Sequence, residues 1–493
     1  MKNYPHWIDG GEYAPSGGQW IDTVDPFKGE TWARIARGNA QDADAAVQAA
    51  KRAMTTGPWA TMSATQRGKI MMQIGELLRQ NVERIAEIEV RDNGKLMAEM
   101  RGQLNFAADI WQFYAGLADK IEGSVKPIEK PDHLAMTFRE PVGVVAAITA
   151  WNVPVNFFAQ KCAPALAAGC AAVVKPSEFS SVSSVEFVKL TKEAGLPDGV
   201  LNVVTGYGHE VGAPLIEHPD TAQISFTGSD VTGARIYEAA ARQMKRVAME
   251  LGGKSPNIVF ADADLDAAVA GAISGIFGAS GQMCTAGSRL LVQNSAKEEV
   301  TKRLLALART IKLGDPMNAD TQMGPISTRP QFEKVLNYIK IAQEDGARCI
   351  NGGKTAEGPE FGAGQFVEPT IFTDVTNDMR IAREEVFGPI LSIIGFEDEG
   401  EAVRIANDTN YGLASAVWTS DLGRMLRVCK ALHAGTVWGN TYRTYSLTMP
   451  VGGRKLSGVG REFGVEAIDD FLETKSVMIS TAKAVPTSSF VPR

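Results

Sequence analysis

The spacing of apolar residues changes along the chain. From Asp42 to Met54 the sequence is Ala-rich, and from Gln66 to Asp92 the residues Ile70, Ile74, Leu77, Leu78 and Ile85 recur at helical spacing until Asn93-Gly94 stops the pattern. A third amphipathic stretch runs from about Glu99 to Ala118, so the first region is expected to be helical. From Val142 the rhythm becomes short apolar runs alternating with helical segments: VGVVAAI, AAVVK, VLNVV, TAQISF, KRVAME and PNIVF. That alternation predicts a parallel sheet with helices packed on its faces. A second series follows, with SRLLVQ, ILSIIGF, ASAVWT and GTVWGN as strands and Lys297 to Thr310, Gln331 to Asp345 and Gly400 to Asn407 as helices. The expected fold class is α/β with two doubly wound parallel-sheet domains. Gly123 to Arg139 reads as an excursion that belongs to neither sheet.

Composition narrows the function. A chain of 493 residues divides into about three domains at roughly 150 residues each. Hydrophobic residues at 44% and charged residues at 22% are ordinary for a globular protein, which excludes disorder, collagen and coiled coil as whole-chain readings. Fifty basic residues against 57 acidic ones leave a net charge of -7, with no footprint for nucleic acid or an anionic membrane, so a small-molecule partner is expected. The apolar stretch Cys162 to Val174 is shorter than the roughly 20 residues of a spanning helix. MKNYPHWIDGG lacks a signal-peptide core, and a cytoplasmic location is expected. The five cysteines form no CxxC and the five histidines no HExxH, so no metal site and no disulfide framework are indicated.

The sharpest chemical feature is a pair of segments, MELGGKSP (Met249 to Pro256) and GQMCTAGSR (Gly281 to Arg289). They set one carboxylate, Glu250, and one thiol, Cys284, beside glycines that let a ligand approach the backbone closely. An isolated thiol has a pKa of about 8.5, so activation needs a base or a helix N-terminus nearby. Without the glycines, Cys284 would read as a small buried hydrophobe and Glu250 as a strand-end residue.

These segments resemble the aldehyde dehydrogenase superfamily, the NAD(P)-dependent hydrolytic type. The resemblance extends through ITAWNVP (Ile148 to Pro154), VVKPSE (Val173 to Glu178), FTGS (Phe226 to Ser229), EEVFGP (Glu384 to Pro389), GTVWGN and SGVGRE, in the family's order from about residue 20 to 475. It implies that Cys284 is the nucleophile, Glu250 the base that activates water, and Asn152 an oxyanion donor together with the backbone N–H of the cysteine. It also gives Lys175 a catalytic or cofactor role. Cofactor contacts are implied at Ile148, Thr149, Trp151, Lys175, Ser177, Glu178, Gly208, Phe226, Gly228, Ser229, Leu251, Gly252, Glu385 and Phe387. Glu178, just after the strand AAVVK, suits the adenosine ribose hydroxyls and would repel a 2'-phosphate, favouring NAD with NADP possible. Ser229 and its neighbours lie where a helix N-terminus meets pyrophosphate.

Further implications concern the substrate and assembly. The positions that line the entry tunnel are expected to be Val153, Asn156, Gln160, Gly278, Met283, Tyr445 and Val451, which speaks against an aromatic cage and for a bulky, polar or functionalised aldehyde. Arg443 is a candidate for meeting a substrate carboxylate, although an exposed loop arginine is the plainer reading. The expected domains are 1–122 with 142–252 for the cofactor, 253–455 for catalysis, and 123–141 with 456–493 as a bridging strand extension that pairs subunits into a dimer or tetramer. A coenzyme A-acylating semialdehyde dehydrogenase, which needs no water-activating Glu250, and a noncatalytic ligand-binding protein on the same fold are the competing outcomes.

Overall fold

The computed structural model describes residues 1–482. Its centre is an eight-stranded sheet in the order Gly458–Val459, Arg246–Glu250, Thr221–Thr227, Val144–Ile148, Ala171–Lys175, Leu201–Val203, His6–Ile8 and Gly11–Tyr13. The strands from Arg246–Glu250 to Leu201–Val203 run parallel. Period-two alternation sends Val145 and Ala147 to one face and Val144, Ala146 and Ile148 to the other. Both faces are covered, which explains why VVAAI and the AAVV that precedes Lys175 are apolar throughout. Ala43, Ala46, Val47 and Ala50 of the first helix pack one face. Met71, Ile74, Trp111 and Phe158 belong to the core on the other.

The second sheet has seven strands, in the order Arg348–Asn351, Thr370–Thr373, Ile390–Phe396, Arg289–Gln293, Pro256–Val259, Ala414–Trp418 and Thr436–Gly439. Only Arg348–Asn351 is antiparallel to its neighbour among them. PNIVF, which the pattern joins to the first series, lies here, because its strand pairs with Arg289–Gln293 and Ala414–Trp418.

Other differences from the sequence reading have local causes. The helix expected over Gln66 to Asp92 is two, Ala64–Gln80 and Val82–Asn93, broken where Asn81 leaves helical geometry at φ -106° and ψ 10°. The helical first region is preceded by short strands from Lys2 to Ala36. The excursion forms His133–Pro141, which pairs antiparallel with Leu472–Ser480 and with Ser124–Lys126. Gly458–Val459, placed by sequence in the bridging element, instead extends the first sheet beside Arg246–Glu250.

Two carboxylates of helix Val82–Asn93 hold the start of two other helices. Glu89 Oε1 accepts from the N–H of Val155 (3.0 Å) and the hydroxyl of Ser183 (3.3 Å). Asp92 accepts from Val182 N–H at 2.9 Å and Thr23 Oγ1 at 3.1 Å. Val153, the N-cap of helix Pro154–Ala168, offers no side-chain acceptor, so Glu89 supplies what that helix end lacks. Burial pushes the Glu89 carboxyl up to about 7 and that of Asp92 to about 8. Because Asn152 immediately precedes this helix, Glu89 also fixes the position of a site residue. Glu89→Ala is expected to destabilise the fold by about 1–3 kcal/mol by orphaning buried donors, read as a lower urea midpoint. Glu89→Gln, which keeps an acceptor, should recover most of it.

Candidate active site

In the first sheet the chain order reverses between Val144–Ile148 and Thr221–Thr227, which are neighbours in space but not in sequence. Open α/β sheets bind ligands at such a switch point, outside the carboxyl ends of the strands. A cavity of about 700 Å³ lies there. Ile148, Thr149 and Trp151 line it from one strand end, and Lys175, Ser177 and Glu178 from the next. Phe226, Gly228 and Ser229 close the opposite side, with Gly208 and Leu251 on the wall. Lys175 Nζ pairs with Glu178 Oε2 at 3.2 Å, and burial lowers the lysine pKa. Ser229 caps helix Asp230–Ala241 through Thr232 N–H.

Glu385 and Phe387 complete the cavity from the second sheet's side. Glu385 Oε1 accepts from Gly253 N–H at 2.9 Å, and burial pushes its carboxyl up to about 7. Gly252 lies under this carboxylate, because a Cβ there would stand 2.6 Å from Oε2. Phe387 takes φ +60° and meets Trp151 edge-on at 5.3 Å. Gln331, which sequence reading missed, holds that turn by donating to the carbonyls of Val386 (2.8 Å) and Phe387 (2.9 Å). It lies with Lys334 on helix Arg329–Glu344, far in sequence from every motif, and no local signal marks either residue.

A second cavity, of about 310 Å³, opens from the other side. Asn152, Phe157, Thr227 and Cys284 line both cavities, so the thiol stands where they meet. Cys284 is half-buried and free. Burial, reinforced by the charges of Glu250, Glu385 and Glu462, pushes its thiol up to about 12. Its loop is held firmly. Gln282 Oε1 accepts from Ser327 N–H at 2.9 Å, Thr285 Oγ1 bonds Tyr445 OH at 2.8 Å, and Tyr442 OH donates to the Thr285 carbonyl at 2.9 Å. Ala279 and Ser280 sit in left-handed conformation before it, backbone strain of the kind that collects at functional sites. Asn152 Nδ2 donates to the Gln282 carbonyl at 3.1 Å.

Glu250 ends its strand inside the second cavity, nearly buried, with Oε1 unpartnered among the described residues. Burial, then the charge of Glu462, raises its pKa well above the carboxylate range. Glu462 itself is paired with the buried Lys161 at 2.8 Å. Of the expected substrate residues, Val153, Asn156, Gln160, Met283, Arg443, Tyr445 and Val451 line this cavity. Gly278 does not; it stands behind Arg443. Arg443 is half-buried rather than exposed. Phe106, Phe157 and Phe463 add an aromatic wall that position matching did not reveal, with Phe106 and Phe463 edge-on at 5.5 Å. Phe463 directly follows SGVGRE and was within reach of that motif.

Among the described residues no group of His, Cys, Asp and Glu is arranged to hold a metal, and no helix is long and apolar enough to cross a membrane. Comparison with known proteins agrees with the geometry. The chain is 43% identical over 475 residues to betaine aldehyde dehydrogenase of Bacillus subtilis (strain 168), covering 95% of this chain and 97% of that one. It is 43% identical over 494 residues to (Z)-2-((N-methylformamido)methylene)-5-hydroxybutyrolactone dehydrogenase of Acinetobacter baylyi, covering 100% of both. A crystal structure of betaine aldehyde dehydrogenase from Staphylococcus aureus in complex with NAD+ superposes with a TM-score of 0.97 at 38% identity, covering 99% of this chain and 97% of that one. The model of the aldehyde dehydrogenase family matches residues 13–477, and this chain belongs to that family.

Proposed function

We propose that this protein oxidises a functionalised aldehyde to its carboxylic acid with NAD, through a thioester on Cys284. The observation that carries this reading is the meeting of two cavities at one thiol, with Asn152 on the shared wall and Glu250 on the far side. The residues around the larger cavity fit a dinucleotide. Glu178 provides a carboxylate for ribose hydroxyls and disfavours a 2'-phosphate, and the N-terminus at Ser229 faces the same space with its glycine turn. Lys175 holds Glu178 in place, and Glu385 and Phe387 take the end nearest Cys284. NAD, when bound, accepts the hydride released from the substrate carbon.

The chain's own residues perform the rest. Burial raises the pKa of the Cys284 thiol, so its proton passes to a solvent water as the S–C bond forms at the aldehyde carbon and the carbonyl electron pair moves onto oxygen. An amide nitrogen carries two hydrogens. One on Asn152 is used by the Gln282 carbonyl, and the second is available to the oxyanion together with the Cys284 N–H. After hydride loss the thioester must be hydrolysed, and Glu250 takes the proton of the attacking water. The acid leaves and the thiol is restored.

The relatives' names support an aldehyde with polar substituents, as does a cavity that mixes Asn156 and Gln160 with Phe106, Phe157 and Phe463. Assembly into a dimer or tetramer is supported by the small sheet. Leu134, Met136 and Phe138 share one face, with Ile479 opposite Leu134 and Val125 opposite Met136. Val125, Leu134, Phe138 and Ile479 are exposed, an apolar strip that an isolated subunit rarely carries. Five free cysteines support a reducing compartment such as the cytoplasm.

A panel of aldehydes with NAD, followed by NADH absorbance, tests the reaction; no NADH from any of them would remove it. Cys284→Ala should abolish NADH formation while NAD still binds in a fluorescence titration. Glu250→Gln should give a burst of NADH followed by a steady rate lower by about 100-fold or more. Because the Glu250 carboxyl is raised, its basic form fills only as pH increases. The hydrolytic rate should therefore climb with pH in a range above that of an ordinary carboxylate, and Glu250→Gln should flatten the climb. Phe138→Lys combined with Ile479→Lys should lower the mass measured by light scattering, and an unchanged mass would argue for another interface.

A further inference from the structure

Arg443 stands out among the charged groups lining the substrate cavity because the mechanism above does not use it and, unlike Glu462, it has no ion-pair partner among the described residues. It follows strand Thr436–Gly439 with φ +55°, a left-handed conformation that long side chains rarely adopt. Its side chain lines the same 310 Å³ cavity as Cys284 and Asn152. Nη1 is shut off from solvent and hydrogen-bonds to nothing among the described residues. The space for this guanidinium is made by Gly278, where a Cβ would lie 2.9 Å from Nη2.

The surroundings do not neutralise it. Lys95 is buried with Nζ 3.6 Å from Met283 Sδ, a residue of the cavity wall. Burial chiefly, and Arg443 among its charged neighbours, hold the Lys95 pKa near about 8. The carboxylate of Glu99, which also acts on Lys95, is already engaged by the N–H groups of Ala279 at 2.7 Å and Leu96 at 3.3 Å. Glu462, on the same cavity, is committed to Lys161. A half-buried guanidinium with one nitrogen, Nη1, shut off from water and bonded to nothing among the described residues is unfavourable, and a neutral substrate relieves that little. An anionic substituent relieves it with charge-assisted, two-pronged hydrogen bonds.

We propose that Arg443 determines specificity by binding a carboxylate on the substrate, so that the preferred substrates are short aldehydes bearing an acid group remote from the aldehyde. This rests on the aldehyde-oxidising reading. The test compares kcat/KM with NAD for 4-oxobutanoate and for uncharged butanal in the native enzyme, Arg443→Lys and Arg443→Ala. The native enzyme should favour the acid. The ratio of the two should fall by about 10- to 100-fold in Arg443→Ala, mainly through KM, with partial recovery in Arg443→Lys. A ratio that stays within about twofold, or a native preference for butanal, overturns the proposal. Calorimetric titration of the unreactive Cys284→Ala protein with butanedioate, with and without Arg443→Ala, reads the same contact without turnover. Binding weakened by a similar factor supports the proposal, and equal or absent binding in both proteins counts against it. If the native enzyme oxidises neither aldehyde, the preference for short acidic aldehydes fails, the aldehyde panel decides the reaction assignment separately, and the titration still reads the contact with Arg443.

Discussion

Hydrogen bonding between parallel strands aligns the chemistry of this protein. In the first sheet the register sets Ile148 beside both Phe226 and Lys175, and Thr227 beside Glu250. Parallel neighbours require crossover connections, so these strands all end on one edge of the sheet. The loops that follow them carry Asn152, Glu178 and Ser229 to that edge, and the Glu250 side chain arrives there directly. Reversal of strand order between Val144–Ile148 and Thr221–Thr227 then opens the crevice that these groups line.

The second sheet supplies what the first lacks. Cys284 lies on the loop before strand Arg289–Gln293, and Glu385 and Phe387 lie before Ile390–Phe396, so one parallel arrangement delivers its residues against the other. Dry surroundings follow from that apposition. They raise the pKa of Cys284, Glu250 and Glu385 and lower that of Lys175. Stability alone would favour pairing or removing such groups. Their persistence, with Glu250 Oε1 and Arg443 Nη1 unpartnered among the described residues, marks the place where the fold accepts local disfavour for chemistry.

Much of the architecture was legible because apolar runs buried on both faces have a distinctive pattern, and because glycine-flanked Glu250 and Cys284 stand out from their neighbours. The break at Asn81 was not legible. Its flanks keep helical periodicity, so the pattern runs on across Asn81 and only the tertiary structure shows that one helix ends and the next begins there. PNIVF was equally ambiguous, since an apolar run does not say which sheet it joins. In the substrate cavity, position matching found Val153, Asn156 and Gln160 but not Phe106, whose helix reaches the site only through tertiary packing.

The amino-acid sequence by itself determined the α/β class, the alternation of strands and helices, and the glycine-flanked setting of Glu250 and Cys284, because these depend on local periodicity and on residue chemistry within short segments, whereas Asn152 was singled out only by resemblance to a family. Tertiary structure alone decided that two cavities meet at Cys284, that Glu89 holds the helix after Asn152, and that Arg443 turns inward over Gly278. Each of those depends on groups tens to hundreds of residues apart. Burial and its electrostatic consequences arise only when such groups close on one another and exclude water.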